Sequence, residues 1–299
     1  MRAVQLRAPG LDGLAVEEIE RPSPQAGEAL VEVHAAAITR DELEWPGDRL
    51  PAIPSYELSG VVAAVASDVD AIVVGEPVYA LTGFDRDGVA AAYAAVPARF
   101  LAPKPSTLDH VASAAIPLAA LSAWQGLFVH GRLDEGERVL IHGAAGGVGH
   151  FATQLARWRG AHVIGTASPH SLDAPSAFGA DEVLDGTDVR LEEVIPLVDL
   201  LFDTVGGELL ARSPALMRPG GRLVSVAEEP PQIAAKVDAT YFVVEPNREQ
   251  LIEIARLVDR GSLQPAIDTV FPLSEAPAAF ERVSARGKRG KVVIRVIDD

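Results

Sequence analysis

Residues 139–170 read VLIHGAAGGVGHFATQLARWRGAHVIGTASPH. An apolar run, a glycine-rich turn, an amphipathic stretch and a second apolar run follow one another directly, which predicts strand, turn, helix and strand. Alternation of this kind commits its part of the chain to a doubly wound α/β layer, a parallel sheet with crossover helices. The turn is A-x-G-x-x-G: Ala144 stands where the usual fingerprint has its first glycine, Gly146 lets backbone approach a pyrophosphate, and Gly149 lets the helix pack closely on the strand. The helix N-terminus then offers unpaired N–H groups to phosphate charge, and Val148, Phe151, Ala152 and Leu155 form its buried face. The unit points to a bound dinucleotide.

The end of the second strand narrows which one. Folds that select NAD place Asp or Glu there to bond the ribose 2'-OH, and here the positions are Thr166, Ala167 and Ser168. A carboxylate would repel a 2'-phosphate, so its absence favours NADP(H) over NAD(H). Ser168, the backbone of 166–168 and His170 are the donors at hand, because PHSLDAPSAF carries no Arg or Lys. Charge-assisted bonds to phosphate are worth about 1.5–3 kcal/mol each, so that missing base matters.

Upstream, residues 1 to about 105 hold short apolar or alternating runs, AVQL, VEEIE, ALVEVHAAAI, SGVVAAVA, EPVYAL and AAYAAV, punctuated by Pro, Gly and Asp. They predict a β domain, a partly open barrel. Residues 109–129 have helical spacing broken at Pro117, which predicts two helices meeting there and a domain boundary. Beyond it come a helix from Gly147 to about Arg159, strands HVIGTA, EVLD and DLLFDTV, a helix from Gly207 to Met217, and strands RLVSVA and YFVV. The tail, VFPLSEAPAAFERV and KVVIRV, reads as a helix and a closing strand that return to the first domain.

Composition removes several classes of function. The chain of 299 residues has a net charge of -16, a repulsive average field for nucleic acid or an anionic membrane. It has no cysteine, so disulfides, thiol nucleophiles and thiolate zinc sites are out, and its seven histidines are scattered with no H-E-x-x-H. The expectation is no metal site. No charged-then-apolar leader follows Met1 and no apolar run is long enough to span a bilayer, which predicts a cytoplasmic protein.

IHGAAGGVGHFATQLARWRGAHVIGTAS, LFDTVGG, RPGGRLVS, FVVEPNREQL and RGKVVIRV together resemble the zinc-independent branch of the medium-chain dehydrogenase/reductase superfamily, and within it the quinone oxidoreductase, or zeta-crystallin-like, group. LVEVHAAAITRDEL, PAIPSYELSGVV and AAIPLAALSAWQGL extend the likeness over nearly the whole chain. The resemblance implies a discontinuous GroES-like β domain built from both chain ends, 1–117 and 259–299, and a Rossmann NAD(P)-binding domain at 118–258, with the cofactor in the cleft and a homodimer formed through Rossmann edge strands. It implies that Ala145, Gly146, Gly147 and Val148 meet the pyrophosphate and Thr166, Ala167 and Ser168 the adenosine side. Asp203, Thr204, Val205 and Gly206 with Ser225, Val226 and Ala227 would line the crevice. Phe242, Val243 and Val244 would offer backbone to the nicotinamide, and Ser122 a hydroxyl to its ribose.

Departures from the family pattern shape the chemistry. Zinc-dependent relatives carry G-H-E where this chain has Ser55, Tyr56 and Glu57. The V-N-x-x-D turn of quinone reductases reads Ile38, Thr39, Arg40, Asp41, a hydroxyl in place of an amide. The Lys after the second strand and the Tyr after the third, common in NADPH users of the group, are replaced around Ser171 and Gly186. Without zinc, quinones and enones are the easiest hydride acceptors, and the oxygen that gains charge needs hydrogen-bond donors. Tyr56 is the first candidate donor and Thr39 the second, with Asp41 orienting its neighbours; Trp45, Tyr56 and Phe84 are the aromatic candidates for substrate contact. The rival reading is an NADP-binding protein of the same fold with little or no turnover, in a structural or regulatory role.

Overall fold

The computed structural model describes residues 1–47, 49–188, 191–230, 237–285 and 287–297. They group into two compact units, one of residues 1–118, 245–261 and 265–299, the other of residues 119–244 and 262–264.

The chain opens with β1 (Arg2–Leu6), β2 (Leu14–Glu18), β3 (Glu28–Ile38), β4 (Glu57–Val65), β5 (Pro77–Leu81), β6 (Tyr93–Pro97) and β7 (Ala102–Pro103), which correspond to the six apolar runs of the sequence with one short strand added. β3 is long enough to pair with β4 along its length, with β6 at its start and with a late strand at its end. Two register shifts against β4 bend it, as barrel curvature requires. At Gly60 of β4 a side chain would meet the Glu32 carbonyl at 2.1 Å, so only glycine allows that approach. Then come α1 (His110–Ala114), capped by Asp109 accepting from the Ala112 N–H at 2.7 Å, and α2 (Pro117–Trp124), which runs into a π-helical turn at Gln125–His130.

The second unit holds β8 (Arg138–His142), α3 (Gly149–Arg159), β9 (His162–Ala167), α4 (Ala174–Ala177), β10 (Glu182–Asp185), α5 (Leu191–Val194), β11 (Val198–Asp203), α6 (Gly207–Arg212), β12 (Met217–Ser225) and β13 (Asp238–Tyr241). All six strands are parallel, in the order β10-β9-β8-β11-β12-β13. The order reverses between β8 and β11, the point outside whose strand ends α/β sheets bind ligands. Leu140, Ile164, Leu201 and Leu223 form the core of this sheet because both of its faces are covered.

The chain then forms α7 (Arg248–Asp259), β14 (Ile267–Pro272), α8 (Ala276–Ser284) and β15 (Lys291–Arg295). β15 pairs antiparallel with β3 and parallel with β14, closing the seven-stranded sheet of the first unit. Phe280 and Val283 of α8 enter the same core as Val4, Val31, Leu58 and Val292.

Three expectations differ. YFVV is not a strand: the edge strand is Asp238–Tyr241, upstream of it, and Phe242 begins an irregular segment. The helix foreseen from Gly207 to Met217 is α6 followed by a 3-10 turn at Ser213–Leu216, because Pro214 lacks the N–H that would continue the α-helical ladder. Residues 245–258, placed with the Rossmann domain above, group with the chain ends, and the helix α7 there, capped by Asn247 and carrying an apolar stripe of Leu251, Ile254, Leu257 and Val258, was not foreseen.

Where α3 meets β8, a Cβ on residue 149 would lie 2.0 Å from the Gly143 carbonyl oxygen. Gly149→Ala is expected to lower stability by about 1–3 kcal/mol, the usual cost of overpacking, read as a fall in the urea midpoint at unchanged m-value. An unchanged midpoint would show that α3 does not approach the turn this closely.

Candidate functional site

In the second unit the turn after β8 is set by Gly143, whose φ of 74° only glycine adopts without strain. Its carbonyl accepts the Gly146 N–H at 2.8 Å, and the Ala144 N–H reaches back to the Thr166 carbonyl at 2.9 Å. The tight-turn role therefore falls one residue before Ala144, on a glycine the A-x-G-x-x-G reading passed over. Ala144 is tolerated because its Cβ faces Gly165, where a second Cβ would sit 2.8 Å away. Gly146, Gly147 and Val148 are half-buried at the mouth of the turn and Ala145 is buried. No side chain caps α3, and of its first N–H groups that of His150 is bonded to the Gly146 carbonyl at 3.1 Å.

The side chains around this turn largely bond one another. His142 is fully buried, with Nδ1 3.1 Å from Thr166 Oγ1 and Nε2 3.0 Å from Ser213 Oγ, and burial pulls its pKa down to about 3, so the ring is neutral. The Thr166 hydroxyl is thus engaged by the His142 ring. Asp203 is fully buried: it accepts from the Val205 and Gly206 N–H groups at 3.2 Å and from Ser225 Oγ at 2.8 Å, and burial raises its pKa. Thr204 Oγ1 donates to the His142 carbonyl at 2.7 Å. Ser225 Oγ also accepts the Ala227 N–H at 3.1 Å. Asp203, Thr204 and Ser225 therefore fix the loops, while Val205, exposed, and Val226 and Ala227 supply surface. Ser168 and His170 are exposed, and Ser168 Oγ lies 2.7 Å from Ser171 Oγ. Phe242 is buried and stacked on His130 at 4.3 Å, Val244 is buried, Val243 is exposed, and Ser122 is buried in α2.

In the first unit Trp45, Tyr56 and Phe84, the aromatic candidates for substrate contact, lie together, with ring centroids 5.0–5.6 Å apart. Tyr56 lies beneath the other two, 1% exposed, and its buried hydroxyl makes no hydrogen bond of full geometry among the described residues, though the Arg49 guanidinium lies close enough to act on it. Burial raises the phenol pKa above its ordinary value, with the Arg49 charge pulling the other way. Arg49 itself donates to the Phe84 carbonyl at 2.6 Å.

The orienting carboxylate is Glu42 and not Asp41. Asp41 is exposed and its side chain has no partner among the described residues, whereas Glu42 is buried and accepts the Thr39 N–H at 2.9 Å and the Ser55 N–H at 3.1 Å. Ser55 needs that hold because its φ is 67°, a strained value for a residue with a Cβ. Below them Glu57 Oε2 accepts the Leu118 N–H at 2.8 Å, and Glu57 Oε1 lies 2.5 Å from Lys291 Nζ, an ion pair without hydrogen-bond geometry. These residues do not fit zinc: Glu57 is committed on both oxygens, Tyr56 and Ser55 replace stronger ligands, and no three His, Asp or Glu side chains converge among the described residues. Adjacent acidic residues hid Glu42 from sequence reasoning, since nothing in ITRDEL tells which of Asp41 and Glu42 faces inward.

Two family models match the chain, the alcohol dehydrogenase GroES-like domain at residues 25–106 and a zinc-binding dehydrogenase domain at residues 178–294. A probable zinc-binding mitochondrial oxidoreductase of Arthroderma benhamiae is 32% identical over 93% of this chain and 92% of its own length. An Arabidopsis thaliana chloroplastic NADPH-dependent alkenal/one oxidoreductase is 30% identical over 95% of this chain and 76% of its own length. The structure of the quinone oxidoreductase from Coxiella burnetii superposes with a TM-score of 0.91 at 30% identity, covering 99% of each chain.

Burial raises the Glu42 pKa from 4.5 to about 8, against the pull of the Thr39 N–H and the Lys291 charge. Below pH 4.5 both folded and unfolded carboxyls are protonated; above it the unfolded one ionises first, so this group's contribution to stability falls as pH rises and is lost by about pH 8. Unfolding free energies of wild type and Glu42→Gln between pH 5 and 8.5 are expected to differ by a gap that changes steadily with pH, the variant showing the smaller decline. Parallel curves would contradict the burial of a raised carboxyl.

Proposed function

The chain belongs to the zinc-independent, quinone oxidoreductase-like group of the medium-chain dehydrogenase/reductase superfamily, and from that premise we propose that it transfers hydride from NADPH to a quinone or an α,β-unsaturated carbonyl. The observation that carries the substrate class is the Tyr56 hydroxyl, buried among Trp45 and Phe84 and, among the described residues, without a hydrogen bond of full geometry, only the Arg49 guanidinium lying close by. An orphaned buried hydroxyl costs about 1–3 kcal/mol, and it is compensated when a carbonyl oxygen arrives to accept from it. Planar rings around it suit a flat conjugated acceptor.

The cofactor is held by the Gly143 turn, by the backbone of Ala145, Gly146, Gly147 and Val148, by Ser168 and His170 at the adenosine end, by Val226 and Ala227, and by Ser122 with the backbone of Phe242–Val244. Bound NADPH supplies the hydride. Tyr56 donates its O–H to the acceptor oxygen as negative charge grows there, with Thr39 as the second donor; because these dipoles are fixed before reaction, they favour the charged transition state over the neutral substrate. Trp45 and Phe84 keep bulk water from that oxygen; in an enone the hydride goes to the β-carbon and solvent then protonates the α-carbon, whereas a quinone takes its proton on oxygen. NADPH is favoured over NADH because no carboxylate follows β9 to repel a 2'-phosphate. Homodimerisation through the edge strand β13, beside which Tyr241 and Val243 are exposed, belongs to the same reading and is checked by sedimentation equilibrium.

Oxidation of NADPH and NADH by a panel of quinones and enones tests the proposal. NADPH turnover with at least one acceptor is expected, reduced roughly 100-fold in kcat by Tyr56→Phe, while the same substitution raises stability by about 1 kcal/mol because it removes an unpaired buried hydroxyl. Ser168→Asp should weaken NADPH far more than NADH. Tight NADPH binding without oxidation by any acceptor would instead support a binding protein of the same fold.

A further inference from the structure

The function proposed so far leaves unexplained a lysine and a glutamate buried together. Lys291 is 5% and Glu57 1% exposed. Burying two charges costs several kcal/mol per ion, and apolar replacements of such pairs are often as stable or more so, so stability alone is a poor reason for the pair. Its place in the sheet is more informative. Val292 of β15 pairs with Ile38 of β3, so the antiparallel register carries Lys291 opposite Thr39. Lys291 Nζ lies 3.2 Å from the Ile38 carbonyl and 3.2 Å from Thr39 Oγ1.

An ammonium has three donors and no acceptor. In its contact with Lys291, Thr39 Oγ1 must therefore accept, and its own hydrogen points elsewhere. Among the described residues that hydrogen has no acceptor, and Thr39 is only half-buried, so the free hydrogen is available to a ligand. The Thr39 backbone is held at the same time by Glu42. Resting on the reductase reading above, we propose that Lys291, anchored by Glu57, is a positioning residue that turns Thr39 into a one-way hydrogen-bond donor toward the acceptor oxygen of the substrate. The nearby cation also polarises the O–H, which strengthens the bond it gives as negative charge builds on that oxygen. Thr39 lends a hydrogen bond and keeps its proton. The donor sense of the Thr39 hydroxyl is thus imposed by a lysine contributed from the far end of the sequence.

The test is a mutant cycle on the NADPH-linked reduction. Thr39→Val is expected to lower kcat roughly 10- to 100-fold with little change in KM, the signature of a donor acting in the transition state. Lys291→Met alone would strand Glu57 as a buried unpaired charge and endanger folding, so it is combined with Glu57→Gln. This pair of changes should cost about as much kcat as Thr39→Val, the triple variant should be no slower than Thr39→Val, and Lys291→Arg should keep most of the activity. Multiplicative losses in the triple variant, or full kcat in folded Lys291→Met/Glu57→Gln, would overturn the proposal. Nitrogen-15 NMR of the lysine ammonium groups reads the contact without turnover: the Lys291 signal must shift in Thr39→Val, and an unmoved signal also overturns it. Absence of turnover in the wild type would count against the reductase reading, while the NMR comparison still decides whether Lys291 holds Thr39.

Discussion

The close passage of α3 over the turn after β8 is the constraint on which the second unit depends. With 2.0 Å between the Gly143 carbonyl and any Cβ at position 149, the helix can start where it does only because residue 149 is glycine. That start aims uncapped N–H groups at the place where the strand order reverses. The loops around it are then fixed by side chains that would otherwise pass for ligands. Asp203 is tied to the Val205 and Gly206 N–H groups and to Ser225, and neutral His142 joins Thr166 to Ser213. Groups that are already satisfied stay put, so the surface left to the cofactor is mostly backbone, in keeping with a site that positions a reactive cofactor and leaves the chemistry to it.

The first unit solves a different problem, that of keeping polar groups in an apolar sheet end. Glu42, Glu57 and Lys291 are all buried, and each is held by backbone groups or by an opposite charge. Half-satisfied networks of this type are less stable than an apolar core. Among the described residues of this unit the buried polar atoms without a hydrogen bond are His34 Nδ1, the Tyr56 hydroxyl and Glu57 Oε1, the last facing Lys291, and the hydrogen of Thr39 has no acceptor. Tyr56 and Thr39 are the two of these that the chemistry of a carbonyl acceptor would call on.

Most of the fold was legible because its signals are local. Apolar runs bounded by Pro and Gly gave β1 to β6, and the glycine turn placed β8, α3 and β9 within two residues. The failures have local causes as well. Phe242–Val244 is as apolar as a strand but lies past the point where β13 stops pairing with β12 at Ser225↔Tyr241. Pro214 ended α6 early. The site was legible where residue type decides, as for Trp45, Tyr56 and Phe84, and illegible where the facing direction decides. Asp41 and Glu42 are neighbours of the same charge, and Gly143 and Ala144 are neighbours in the same turn, yet in each pair one residue does the work. Lys291 is 252 positions from Thr39, and the β3–β15 register joins them.

The central claim is that this chain moves a hydride from a nicotinamide to a conjugated carbonyl with no metal involved. Protein dialysed exhaustively against a chelator and given an enone with NADPH deuterated at C4, in separate reactions for each face of the ring, tests it most directly by mass spectrometry of the product. The account predicts one deuterium on the β-carbon of the saturated product from one labelled face and none from the other, at the rate of the undialysed protein. A product without deuterium from either face, or activity lost on dialysis and restored by zinc, would contradict it.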